Sequence, residues 1–280
     1  MEPIIKPQEL VSLLQKEALI LIDARSGPTA RDKYKTEHLQ GAQFVDLESD
    51  LATPPANAAE GGRHPLPDVT AFAGLLGRLG IKPNSHVVVY DDMSGANAAA
   101  RFWWMLRALG HEQVQVLDGG YEAAKEAGVP TSSQTEQPTP QPPYPQQGWQ
   151  LPTTTVEEVE KAAQNPDNLV IDVRAAARFR GETEPIDLVA GHIPGAVNVP
   201  FTSNLDSKGF YLPQQELRTK YTEALGNRKA EDVMVHCGSG VTACHTLLAM
   251  DYAGMEMPKL YVGSWSEWSR SGRKVATGEK

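Results

Sequence analysis

The chain has 280 residues, 40% of them hydrophobic and 22% charged, with a net charge of −9. That composition is globular, with material for two modest cores. The acidic balance argues against nucleic acid as the main partner, because phosphate binding needs a basic face. A small anionic substrate answers to a local field instead. The two cysteines, Cys237 and Cys244, exclude a disulfide scaffold and lack the close pairing of a structural zinc site. No metal or other cofactor is expected. So few cysteines suit a reducing compartment. Residues 1–6, MEPIIK, read as neither a secretory signal nor an Arg-rich transit segment. The apolar runs are far too short to span a membrane. The expectation is a soluble cytoplasmic protein with no membrane or nucleic-acid partner.

Residues 7–17 place Leu10, Leu13 and Leu14 on one helical face, with Pro7 in the first turn. Residues 19–23 read as a short buried strand, and a polar segment follows, ending in His38-Leu39-Gln40-Gly41-Ala42. Phe44-Val45 is a second strand candidate. Prolines and glycines make residues 52–67 a loop. A helix is predicted over 68–79 with Asp68 as its N-cap. Strand 86–90, helix 97–109, strand 114–117 and helix 121–127 complete the half. Residues 130–148 then hold six prolines and no aliphatic residue, which predicts an extended linker rather than a packed element.

The second half repeats the first. It reads as helix 154–164, strand 169–173, helix 214–225, strand 233–236, helix 242–253, strand 260–262 and a short helix from Ser264. Leu21-Ile22-Asp23-Ala24-Arg25 matches Val170-Ile171-Asp172-Val173-Arg174. His38-x-x-Gly-Ala matches His192-x-x-Gly-Ala, and Leu117–Tyr121 matches Tyr261–Trp265. Three matches in one order make a duplication. Alternating β and α elements predict an α/β fold, each half a mainly parallel sheet with helices on both faces. The expected division is 1–130, a linker over 131–150, and 151–280.

In such sheets ligands sit at the carboxyl ends of strands, and Cys237 follows the strand at 233–236. Gly238 and Gly240 permit a tight loop, and a helix begins just beyond. Backbone N–H groups of residues 238–242, including those of Val241 and Thr242, can cradle negative charge at the sulfur. A nucleophilic cysteine is the functional reading, and a small buried cysteine the structural one. The first half carries Asp91 at the matching position. One copy thus kept a thiol and the other did not, which suggests a site between the halves.

The duplication, the two His-x-x-Gly-Ala segments, the single Cys loop and Gly263-Ser264-Trp265-Ser266-Glu267-Trp268 resemble the tandem-domain rhodanese-type sulfurtransferases. The resemblance implies two rhodanese-like domains, the first catalytically inactive. It implies sulfur transfer through a Cys237 persulfide to cyanide or a thioredoxin-like dithiol. Cys-Gly-Ser-Gly-Val-Thr is similar to the loop of 3-mercaptopyruvate sulfurtransferases, whereas thiosulfate-preferring relatives carry cations just after the cysteine. Thiosulfate:cyanide transfer and a non-catalytic persulfide carrier are the alternatives. By the same resemblance Ser239 works with a histidine, matched by His64, and an acid, matched by Glu48 with Asp46 nearby. Arg178 matches the first carboxylate-binding arginine. The second is missing from residues 184–189; Arg180 is either its substitute or a solvated surface charge. A phosphatase-like cradle would need an arginine six residues past the cysteine, where Ala243 stands. Cys244, the tryptophans, Asp23, Asp172, Arg25, Arg174, His38 and His192 read as structural.

Overall fold

The computed structural model describes residues 1–16 and 18–279. The chain divides into two compact units. The first comprises Met1–Thr53, Leu66–Gln150 and Ser207–Tyr211, and the second Pro54–Pro65, Leu151–Asp206 and Leu212–Lys280. The loop at 54–65 therefore belongs with the second unit although it lies in the first half of the sequence.

The first unit runs β1 (Ile4–Ile5), α1 (Pro7–Leu14), β2 (Leu19–Asp23), α2 (Ala30–Thr36), β3 (His38–Leu39), β4 (Ala42–Phe44), α3 (Val69–Arg78), β5 (His86–Tyr90), α4 (Ala98–Ala108), β6 (Val114–Leu117), α5 (Gly120–Glu126) and β7 (Thr131–Ser132). The second runs β8 (Thr153–Thr154), α6 (Val156–Ala163), β9 (Leu169–Asp172), α7 (Ala176–Phe179), β10 (Val197–Asn198), α8 (Gln214–Leu225), β11 (Val233–His236), α9 (Ala243–Tyr252), β12 (Lys259–Tyr261) and α10 (Ser264–Trp268). The first helix ends at Leu14; Glu17, the end of its predicted span, lies outside the described residues. Among the described residues no helix is long and apolar enough to cross a membrane.

Each unit is built on one five-stranded parallel sheet. The orders are β1-β6-β5-β2-β4 and, read in the matching direction, β8-β12-β11-β9-β10. The two orders correspond strand for strand, so the duplication seen in the residues is also a duplication of topology. The apolar runs supply the buried central strands, as parallel sheets require: β5 and β11 are buried along their whole length. Leu10, Leu21, Val88 and Tyr121 belong to one core cluster, and Val159, Val170, Met234 and Trp265 to the other. Asp68 caps α3 by accepting from Thr70 N–H at 2.8 Å. Thr155 and Glu158 close a capping box on α6, with Thr155 N–H donating to Glu158 Oε2 at 2.8 Å. Trp103 and Trp104 lie buried in the first unit, Trp265 and Trp268 in the second.

Some short strands escaped the sequence, and one expectation needs correction. The β1, β8 and β10 strands are two residues each; they have no periodicity of their own and exist because the neighbouring strand offers its ladder. The proline-rich stretch is extended, but it is packed. Tyr144 is buried against His111, with 2.9 Å between Tyr144 Oη and His111 Nδ1. Gln141 and Tyr144 N–H groups donate to Gly77 and Ala73 carbonyls at 2.8 and 2.9 Å. Trp149 meets Phe72 at a centroid separation of 5.6 Å.

Candidate active site

The site is built in the second unit, where β11 ends in Cys237 and the chain turns through residues 237–242 into α9. Gly240 has φ +77°, and a Cβ there would lie 2.3 Å from the Val262 carbonyl oxygen. Only glycine fits that close approach. Gly238 differs from expectation: its φ is not positive, and a Cβ would meet nothing nearer than guanidinium ends at 3.4–3.7 Å. Cys237 is 3% exposed. Its N–H donates to Ser264 Oγ at 3.2 Å, and its carbonyl accepts from Trp265 N–H at 3.0 Å. Ser266 N–H donates to the Gly238 carbonyl at 2.8 Å. Cys244 Sγ donates to the Gly240 carbonyl at 3.4 Å. The start of α10 therefore braces the loop from one side and α9 from below.

The first copy carries a loop one residue longer at the matching position. Asp91 is fully buried, and its carboxylate accepts N–H bonds from Met93, Gly95, Asn97 and Ala99 at 2.9, 2.8, 3.1 and 3.3 Å. Burial pushes the Asp91 pKa up while those four donors pull it down. A loop of this shape gathers backbone N–H groups around a negative atom. Gly120, in the first copy, and Ser264 occupy matching positions, and both have left-handed backbones, φ +65° and +54°. A serine pays strain there, and here its hydroxyl is the group that accepts from Cys237.

His64 reaches the site on the loop at 54–65. Gly61 N–H donates to Glu267 Oε1 at 3.1 Å and Arg63 N–H to Ser266 Oγ at 3.0 Å. Gly62, φ +85°, lies so close to Gly263 that a Cβ would stand 2.4 Å from its carbonyl oxygen. With Gly61 and Arg63 anchored just before it, His64 Nδ1 stands 2.7 Å from Ser239 Oγ. Sequence reasoning took the tryptophans of α10 as its notable residues and missed Ser264, Ser266 and Glu267, whose hydroxyls and carboxylate hold the two loops. Their signal was the Gly-Ser-Trp-Ser-Glu-Trp string itself.

Arg178, on α7, donates to Glu184 Oε1 at 2.7 Å and to Asp187 Oδ2 at 3.3 Å. Asp187 also pairs with Arg270 Nη1 at 2.8 Å and with Arg63. Arg63 and Arg178 are the side chains nearest a Cβ placed on Gly238. Arg180 is engaged elsewhere. It forms an exposed pair with Glu182 at 2.6 Å and lines a separate cavity with Asn198 and Glu279, so the surface-charge reading fits it. Glu48 belongs to the first unit, on a turn in which Asp46 Oδ1 accepts from the Glu48 and Ser49 N–H groups at 3.0 and 3.1 Å. Asp172 and Arg174 form a buried pair at 2.6 Å; its counterpart is Asp23 with Arg25, also at 2.6 Å. Burial holds the His236 pKa below its ordinary value; its Nε2 is 3.8 Å from Asp172. His38 and His192 stack on Tyr34 and Phe179 at 3.9 and 3.7 Å, and each donates its Nδ1–H to a backbone carbonyl.

Residues 6–127 and 155–271 each match the model of the rhodanese-like domain. A probable 3-mercaptopyruvate sulfurtransferase of Pseudomonas aeruginosa is 42% identical over 280 residues, covering 97% of each chain. A putative thiosulfate sulfurtransferase of Mycobacterium tuberculosis is 37% identical, covering 95% of this chain and 93% of the other. The solved 3-mercaptopyruvate sulfurtransferase of Leishmania major superposes with a TM-score of 0.83 at 30% identity, over 96% of this chain and 74% of that one. With both copies matched and full-length relatives this similar, the chain belongs to the rhodanese family and is a tandem-domain sulfurtransferase.

Proposed function

We propose that this enzyme takes sulfur from 3-mercaptopyruvate onto Cys237 and passes it to cyanide or a thioredoxin-like dithiol. One observation carries the reading: Ser239 Oγ is 2.7 Å from His64 Nδ1, two residues past the cysteine, in a loop whose own side chains are uncharged. A hydroxyl backed by an imidazole suits a donor that leaves as an enolate.

In the first half-reaction the Cys237 thiolate attacks the donor sulfur. The sulfur–carbon bond breaks and its electron pair leaves as pyruvate enolate. The proton from the donor thiol ends on the enolate carbon, so thiolate and mercaptopyruvate become persulfide anion and pyruvate. Ser239 donates its hydroxyl to the developing enolate oxygen while His64 Nδ1–H donates to Ser239 Oγ. Glu48 is assigned to orient His64 on family resemblance. N–H groups of Gly238, Gly240, Val241 and Thr242 hold the persulfide charge; the Asp91 cradle supports that capacity. Arg178 binds the donor carboxylate. In the second half-reaction cyanide takes the outer sulfur as thiocyanate, or a dithiol leaves as disulfide with release of hydrogen sulfide. Either regenerates the thiolate. In this scheme the first copy is catalytically inactive, Asp91 standing where a nucleophile would. Both cysteines are free, which suits a reducing cytoplasm.

Thiosulfate is the second reading, favoured by Arg63, Arg178 and Arg270 gathered at Asp187. Pyruvate release from 3-mercaptopyruvate with cyanide present tests the first. Turnover is expected to vanish in Cys237→Ala and to fall about a hundredfold in kcat in Ser239→Ala. Wild-type kcat/KM should favour 3-mercaptopyruvate over thiosulfate; the opposite ratio would transfer the assignment to thiosulfate. No turnover with either donor would leave a persulfide carrier.

A further inference from the structure

We propose that Glu267, with Ser266, is a positioning residue of the reaction: it holds the loop at 54–65 so that His64 meets Ser239, without touching the donor. The inference rests on the role given to the His64–Ser239 pair above. Residues 54–65 form no helix or strand, so their place depends on what grips them. Two neighbours on α10 do so. Glu267 Oε1 accepts from Gly61 N–H at 3.1 Å, and Ser266 Oγ accepts from Arg63 N–H at 3.0 Å. The gripped amides flank Gly62 and come just before His64, whose Nδ1 is 2.7 Å from Ser239 Oγ.

Each grip is itself held. Glu267 Oε2 accepts from Tyr261 Oη at 2.9 Å. Burial and the Glu267 carboxylate raise the Tyr261 pKa, so that hydroxyl stays a donor. Ser266 Oγ donates to the Gly263 carbonyl at 2.9 Å. Gly263 serves the carboxylate as well: a Cβ there would lie 1.8 Å from Glu267 Oε2. The Gly263 φ of −61° suits any residue; it is the carboxylate that needs the space. The duplication supplies an internal control. Gly263–Trp268 matches Gly119–Ala124, which puts Glu122 opposite Ser266 and Ala123 opposite Glu267. The copy with Asp91 in place of a thiol therefore has no carboxylate at the Glu267 position and no hydroxyl at the Ser266 position. A side chain needed only to pack this helix would serve either copy; one needed to place a histidine serves the copy that has the thiol.

A double-mutant cycle on pyruvate release from 3-mercaptopyruvate tests the proposal. Glu267→Ala should lower kcat about ten- to a hundredfold, the cost of a small misplacement of a reacting group. Glu267→Gln keeps one acceptor oxygen of two and should lose less. In the His64→Ala background, Glu267→Ala should change kcat by less than about twofold, since its effect passes through a side chain already gone. Ser266→Ala carries the same cycle if Glu267→Ala does not fold. Losses that multiply in the double variant, or wild-type kcat in Glu267→Ala, would overturn the proposal. Failure of the reading beneath it shows without touching Glu267: His64→Ala then releases pyruvate at the wild-type rate, or the wild type releases none, and this inference goes with it.

Discussion

Gly238 and Gly240 stand in one loop under different constraints. At Gly240 an added methyl meets the Val262 carbonyl at 2.3 Å, and φ is +77°. Gly240→Ala is expected to cost roughly 2–3 kcal/mol in stability and to abolish turnover. Gly238→Ala meets only the flexible ends of Arg63 and Arg178. It should fold within about 0.5 kcal/mol of wild type and raise the donor KM. Urea titration and steady-state kinetics on the pair check both; equal destabilisation would show that Gly238 is also constrained by the fold. At this scale Cys237, Ser239 and His64 could be singled out because a contiguous motif carries each, and the structure brings His64 and Ser239 into contact. Arg180 was left with two readings because sequence adjacency to Arg178 says nothing about which acid a long side chain finds; Glu182 lies two residues away and takes it.

Among the elements, α8 carries an unusual lysine. Lys220 is held down to about 8 by burial. Its Nζ donates to Asn204 Oδ1 at 2.6 Å and sits 4.9 Å from the Tyr221 ring centroid. Because the folded pKa is below the unfolded value of 10.5, the unfolded chain binds the proton more tightly. Stability should therefore rise as pH increases through 8 to 10, with the cost of charging Lys220 fully present below that window. The rise relative to Lys220→Met, discounted for the solvent that still reaches the side chain, should be of order 2 kcal/mol, read from urea melts across that range; parallel profiles would remove Lys220 as the cause. The long helices and central strands were legible because burial imposes a period on them. The proline-rich stretch was misjudged because composition reports backbone extension, not what Tyr144 and Trp149 find to pack against.

At the scale of the molecule, the second unit is not the second half of the sequence. It takes in residues 54–65, and with them Arg63 and His64. A fragment of residues 151–280 keeps the whole β8–β12 sheet but lacks both side chains and the bonds to Ser266 and Glu267. It is expected to retain helical and sheet circular dichroism while releasing pyruvate at less than about one hundredth of the full-chain rate. A fragment near full activity would show that His64 and Arg63 are dispensable. The sequence by itself determined the duplication, the α/β class and the glycine-bearing loop after Cys237, because each is written in contiguous residues whose spacing a strand, turn or helix enforces locally. Only the tertiary structure decided the surroundings of that loop: which serines brace it, which arginines overhang it and which carboxylate they share. Those partners are separated by up to 206 positions in the chain, as with Gly61 and Glu267. Burial and charge balance choose such partners after folding, and no local period records the choice.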